Sequence, residues 1–334
     1  MAEATRMDRW TLISSGLAAG MLAGSRAWAA DPEPPAKPDP AKVKSRVALV
    51  RHAGVMNKDE IQAKPLAAMV DQAVMTLSGE ATAELAWRRY FHEGERVGIK
   101  VNGRGGSPLA TATPLIAHCV DRLKGLGIKP DDIIIWEMRV DDLRNCGLYE
   151  SRAWGAQVMT ADVEWDTWQR QGEFYGALTT IATRRVDAIL NLPLLKDHHN
   201  AGVSLALKNQ YGSICNPMAH HGNYCDPYVA DLNTIPALRD KQRLILCDGT
   251  RGQAEGGPHY SPGFVGYPNL IMAATDAVAH DYVGWQLIEA QRKHMGLPPV
   301  ARVGRPAVHI HSAAQRGLGT DVPEEIEQAQ VTLA

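Results

Sequence analysis

Val97-Gly98-Ile99-Lys100-Val101-Asn102 is a short apolar run that closes on a polar residue and is followed by Gly103, Gly105 and Gly106. The amphipathic stretch Thr113–Leu126 comes next, then a second near-continuous apolar run, Ile133–Trp136. Runs of this length, bounded by glycine and apolar on both alternating faces, read as strands buried on two sides. The same pattern extends in both directions. Val47–Val50, Ala188–Leu192, Leu244–Cys247 and Asn269–Ala273 are further strand-like runs, and Pro65–Leu77 and Ala277–His294 are further amphipathic segments. Apolar strands alternating with helices specify an α/β fold, with a mostly parallel sheet covered by helices on both faces. The length allows either one body or two sub-domains around a shared cleft.

In such sheets ligands bind beyond the carboxyl ends of the strands, so the residues that end each run are the candidates for a site. They are Arg51 and His52 after the first run, Lys100 and Asn102 at the second, and Glu137 after the third. The long stretch Pro193–Cys225 follows the fourth, and Asp248, Gly249 and Arg251 follow the fifth.

The stretch Lys196-Asp197-His198-His199-Asn200-Ala201-Gly202-Val203-Ser204-Leu205-Ala206-Leu207-Lys208-Asn209 carries the densest chemistry, and His220-His221 follows it closely. Imidazoles titrate near neutrality and bind transition metals, and a partly buried lysine can serve as base or nucleophile. A turn at Gly202 and a helix from about Ser204 would bring His198 and Lys208 to one cleft. Ser204 would then be an N-cap or early-turn residue, with the N–H groups there free to hold an anion. Lys100, Asn102, His198, His199, Lys208 and Asp248 are expected to converge there, with Lys196 and Asn209 beside them and His220 or His221 as ligand to any transition metal. Asp276 and Asp281 begin the Ala277–His294 segment. Asp276 reads either as a ligand contact or as a helix cap. Gly256-Gly257-Pro258-His259 reads as a loop over the cleft, since no P-loop pattern is present.

These residues resemble the DUF362 family, whose signature is similar to Asn191-Leu192-Pro193, Lys196, His198 or His199, Gly202, Ser204 and Lys208-Asn209. The strand Gly98-Ile99-Lys100-Val101-Asn102, the segment Cys247-Asp248-Gly249 with Gly256-Gly257-Pro258, and Thr275–Asp281 are similar to three other blocks of that family. The resemblance spans about Val47 to Leu287 and implies no activity, since the family is named for lacking one. Some members carry an iron–sulfur module; no cysteine spacing for such a cluster occurs here. His198-x-x-Ala201-Gly202-x-Ser204-x-x-x-Lys208 is also similar to a segment of nickel-pincer lactate racemases. That likeness implies His198 as an acid/base group, Lys208 as a cofactor-anchoring or anion-binding residue, and His220 or His221 as a metal ligand. Leu205-Ala206 departs from it, standing where the racemases have Gly-Gly.

Residues 1–29 have the form of a signal peptide: Arg6 and Arg9, an apolar run Leu12–Gly24, and the small-x-small site Ala27-Trp28-Ala29. The apolar run is too short and weak for a stable span, so no membrane anchor is expected after processing. Residues 30–42 hold five prolines and read as a linker, and the folded body is expected over 43–334. Export to the periplasm follows, by either the general or the twin-arginine route. Cys215 and Cys225 could then pair or remain thiols. The net charge of -2 and the lack of a Lys/Arg-rich block argue against nucleic acid. The expected partner is a small molecule, anionic or hydroxylated to suit Arg51, Lys100, Lys196 and Lys208. The expected role is an exported enzyme moving a proton or hydride with a metal or cofactor, or else a non-catalytic periplasmic binding protein.

Overall fold

Along Ser45–His52 the side chains of Val47 and Leu49 enter one hydrophobic cluster, and those of Ala48 and Val50 enter another. Ile134 and Trp136 oppose Ile133 and Ile135 in the same way, as do Ile245 and Cys247 against Leu244 and Leu246. Each strand therefore separates two cores, and a period of two shows in the sequence as an unbroken apolar run.

The computed structural model describes residues 28–30, 32, 41–149 and 151–334. The n-region and apolar run of the signal segment, and most of the proline-rich linker, lie outside the described residues.

Among the described residues, twelve strands form one sheet. They are β1 Ser45–His52, β2 Val97–Lys100, β3 Ile133–Glu137, β4 Ser151–Ala153, β5 Ala156–Thr160, β6 Ala188–Asn191, β7 Leu194–His198, β8 Gly202–Val203, β9 Gln242–Gln253, β10 Val265–Gly266, β11 Leu270–Ala274 and β12 Ile326–Leu333. The main order is β12-β1-β11-β9-β6-β2-β3-β5-β4. The run β9-β6-β2-β3-β5 is parallel throughout. Strand β11 is antiparallel to both β1 and β9, so β1 and its parallel partner β12 run in the same direction as the parallel block.

Helices α1 Ala63–Ser78 and α2 Thr113–Gly125 cover the face of Ala48 and Val50. The short helix α3 Leu205–Asn209, α4 Ala277–His294 and α5 Val308–Gln315 lie on the other face. On that second face Gly98 is pressed under the Trp136 indole, where a Cβ would fall 2.5 Å from the ring. Both faces are thus covered, and the observed class is α/β with a mostly parallel sheet. Among the described residues, no helix is long and apolar enough to cross a membrane.

At the amino-terminal end of the described chain, Trp28 packs against the core and covers Gly252. The backbone N–H of Ala29 donates to Gln291 Oε1 at 2.6 Å. Cleavage after Ala29 would remove the indole from this contact. Cys215 and Cys225 are both free thiols, as are the other three cysteines.

Candidate functional site

Strand β2 ends on the second face of the sheet with Lys100, which is in register with Asn191 at the end of β6 and with Trp136 of β3; Glu137 is the last residue of β3. Lys100 is fully buried; its Nζ donates to Glu137 Oε1 at 3.0 Å and to the Val101 carbonyl at 2.6 Å. Gly212 lies directly above it, where a Cβ would come within 2.6 Å of that Nζ. Lys100 is therefore the floor of the site, and Glu137 is the group that reaches the cavity above.

That cavity measures about 260 Å³ and is lined by Asn102, Lys196, His198, His199, Ser204, Lys208, Asn209 and His221, together with Glu137 and Tyr211. A second hollow at its rim shares His199 and His221. A chain of amides fixes the first lysine. Lys196 Nζ donates to Asn102 Oδ1 at 2.9 Å, Asn102 Nδ2 to Asn209 Oδ1 at 2.9 Å, and Asn209 Nδ2 to Asn191 Oδ1 at 2.7 Å. Asn191 is anchored in turn by donating to the Ala206 carbonyl. Each amide can then point only one way, so the lysine is held without a carboxylate partner.

Lys208 is placed by α3, whose start at Leu205 matches the expected helix. The expected free anion site at its N-terminus is filled by the protein itself. Asp281 accepts from the backbone N–H groups of Ala206 at 2.8 Å and Leu207 at 2.9 Å, and His280 Nδ1 lies 2.7 Å from the same carboxylate. Ser204 makes no capping bond, although it lines the cavity. Lys208 Nζ lies 3.2 Å from His221 Nε2 and 3.6 Å from the centre of the Tyr211 ring. Both contacts stabilise a cation in a dry site.

Burial pulls the ammonium groups of Lys196 and Lys208 down to about 8. Burial, and then the charge of Lys208, hold His198 well below its usual range and take His221 down to about 4. The imidazoles are thus neutral and their tautomers are readable. His221 Nδ1 faces the Pro217 carbonyl at 2.7 Å and must donate, which leaves Nε2 as the acceptor for Lys208. His198 Nδ1 accepts from the backbone N–H groups of Asn200 and Ala201, so Nε2 carries its proton. The rings of His199 and His221 stack on His198 at 4.8 and 5.6 Å. Burial and the nearby Glu137 push Asp142, on the same wall, upward.

Other expected residues lie elsewhere. Asp248 is buried under the cavity, where it accepts from Ala112 N at 2.8 Å and from Thr250 through both its backbone N–H and its hydroxyl. It orders the start of α2 and does not line the cavity. Asp276 is a helix cap, accepting from the N–H groups of Val278 and Ala279. His52 caps the 3₁₀ turn after β1 by accepting from Gly54 N. Arg51 is in β1, paired in register with Leu270 and Thr332, and does not line the cavity. His220 turns away from His221, packing between Phe174 and Tyr228 at 4.8 and 5.2 Å, with both ring nitrogens unbonded. The expected cover loop is present: Pro258 and His259 line the cavity, and the Gly257 N–H donates to Asp197 Oδ1 at 2.7 Å. Tyr211, Arg104, Arg139 and Asp142 also line the cavity and were not among the expected residues.

The family profile described as a domain of unknown function, DUF362, matches residues 97–286, more than half of the chain. The chain belongs to the DUF362 family. The matched span holds β2, the Lys196–Asn209 segment, His221 and Asp281, so it contains most of the cavity wall. No curated protein matches this DUF362 chain. Among solved structures, it is similar to the crystal structure of a Thermotoga maritima protein from the Northeast Structural Genomics Consortium. That match has 9% identity, covers 72% of this chain and 61% of the other, and has a TM-score of 0.44.

The racemase likeness implies a nickel-bearing cofactor joined to Lys208. Among the described residues, no group of three or more His, Cys, Asp or Glu is placed to hold a metal ion. Leu205 keeps a left-handed φ of 51°, a conformation glycine favours, but its side chain is fully buried against Gly284. The amides that follow it are taken by Asp281. The residues present do not fit that cofactor, and no chemistry here is routed through it.

Proposed function

We propose that this DUF362 protein is an enzyme that binds a small carboxylate, such as a hydroxy acid or sugar acid, and moves a proton on it. The observation that carries this reading is the pair Lys196 and Lys208. Both are buried in one cavity, and among the described residues neither forms an ion pair with a carboxylate. Desolvated cations without a counter-charge are costly, and an anionic ligand supplies what the protein does not. With its ammonium near neutrality in pH, Lys208 can take a proton from the bound molecule, and the Nε2–H of His198 can steady the oxygen on which charge develops. The Arg6/Arg9 segment and the Ala27-Trp28-Ala29 site support export as part of the same reading.

The test is proton exchange in D₂O. Hydroxy acids and sugar acids are incubated with the protein, and the C–H signal next to the carboxylate is followed by NMR. Loss of that signal with wild type, and not with Lys208→Met, is the expected result. Thermal stabilisation by these acids without any exchange would replace the enzyme by a binding protein. If the acids cause neither exchange nor stabilisation, the proposal is overturned.

A further inference from the structure

Lys208 differs from the other two buried lysines of the site. Lys100 is committed to Glu137 and the Val101 carbonyl, and Lys196 to Asn102 and, at 3.4 Å, the Pro258 carbonyl. Among the described residues, Lys208 has only the neutral imidazole of His221 and the face of the Tyr211 ring. Its nitrogen therefore sits on the cavity wall with no strong acceptor holding its protons. His221 offers a lone pair to it, with a tautomer locked from behind by the Pro217 carbonyl. On the same wall His198 presents a ring with its proton fixed on Nε2. A nucleophile, an acceptor for its proton and a donor for an oxygen are thus gathered around one small space.

We propose that Lys208 captures the carbonyl group of a small oxo acid as an imine. The proposal rests on the reading of the cavity as a carboxylate site. The Lys208 ammonium first gives one proton to His221 Nε2. The freed Nζ lone pair attacks the carbonyl carbon, the C=O π pair moves to oxygen, and His221 returns that proton to the oxygen. One proton leaves the nitrogen through His221 Nε2 and is passed to the hydroxyl, which departs as water when the C=N bond forms. Ammonium and carbonyl become protonated imine and water, with no oxidant or reductant consumed. The protonated imine is a cation lying over the Tyr211 face, and the ring stabilises it as it does the ammonium. Lys196, held by the amide chain, remains to pair with the carboxylate.

The test is reductive trapping of the full-length protein with glyoxylate and cyanoborohydride, followed by peptide mass mapping. Lys208 should be labelled at least about tenfold faster than an exposed lysine such as Lys293, as a desolvated, partly neutral amine requires. Its labelling should rise through about pH 8. Labelling of Lys208 no faster than Lys293, or mapped to Lys196 instead, would overturn the imine. Lys208→Arg, checked for folding by circular dichroism, should lose the fast label. Lactate, which has no carbonyl to capture, separates the two proposals. If lactate raises the melting temperature while Lys208 stays unlabelled, the imine fails and the carboxylate site stands. If Lys208 labels fast and lactate neither protects nor stabilises, the imine stands and the carboxylate site fails.

Discussion

Lys208 points its Nζ at His221 Nε2 across 3.2 Å, although the two residues come from separate segments of the chain. The helix that carries Lys208 is held by Asp281, and the ring of His221 is held by the Pro217 carbonyl. Neither partner is an acid, so the contact relieves little of the cost of burying an ammonium. The site keeps a cation that its own fold does not neutralise, and this separates Lys208 from the lysine beneath it.

Lys100 and Lys208 should therefore respond in opposite ways to the same change. Lys100→Met removes one half of a buried ion pair and leaves Glu137 uncompensated. The expected loss is about 3 to 5 kcal/mol of folding stability. Lys208→Met removes a cation with no acidic partner, and stability should be unchanged or slightly higher. Urea denaturation of both variants measures the contrast. Equal losses would mean that Lys208 is structural.

Asp281 should prove to be an anchor for α3. Its removal by Asp281→Ala frees two buried backbone N–H groups and the partner of His280. The expected cost is about 2 to 4 kcal/mol, combining a lost cap with unsatisfied buried donors. Because α3 carries Lys208, the variant should also lose stabilisation by small carboxylates. Denaturation and ligand-shifted melting read the two effects separately.

Gly257 has no room for a side chain, since a Cβ would fall 2.0 Å from the Asp197 carbonyl oxygen. Gly257→Ala must push away the loop that brings Pro258 and His259 to the cavity. A loss of about 1 to 3 kcal/mol is expected from the backbone shift, with weaker carboxylate binding. Calorimetric titration of lactate against this variant checks the second part. Unchanged binding would free the loop from any role in the site.

The sheet was legible wherever a strand buries both faces. Ile133–Trp136 and Leu244–Cys247 read directly as strands, and Ala277–His294 read as the helix it is. Strand β12, Ile326–Leu333, was not legible, because it lies at the sheet edge and the adjacent Glu327 and Gln328 break the alternation of polar with apolar residues that marks a half-buried strand. Lys196, His198 and Lys208 could be read from the crowding of charge at a strand end. Asp248 and Asp281 have the same signature, yet their carboxylates are spent on backbone N–H groups. Nothing local distinguishes a carboxylate that binds a ligand from one that binds the chain; only the partner's position in space does. Tyr211 went unread for the same reason, since its role is fixed by where Lys208 falls above its ring.

The pH dependence of stability follows from the two lysines and can be signed in advance. Burial holds Lys196 and Lys208 at about 8 in the folded chain, against an ordinary 10.5. Between those values the unfolded chain binds more protons than the folded one, so stability must rise with pH across that window. Below about pH 8 both states are protonated and the contribution is flat. Lys196→Met and Lys208→Met should each remove one share of the slope between pH 8 and 10.5, and their advantage over wild type should vanish above it. Denaturation across that range measures the slopes directly. A bound carboxylate favours the protonated form of Lys196, the lysine left to pair with it, and raises its folded-state value toward the ordinary one. Saturating lactate should then remove the Lys196 share of the slope in wild type and in Lys208→Met alike, while leaving the Lys196→Met slope nearly as it was. A wild-type slope that lactate does not alter would mean that the anion binds away from these two lysines.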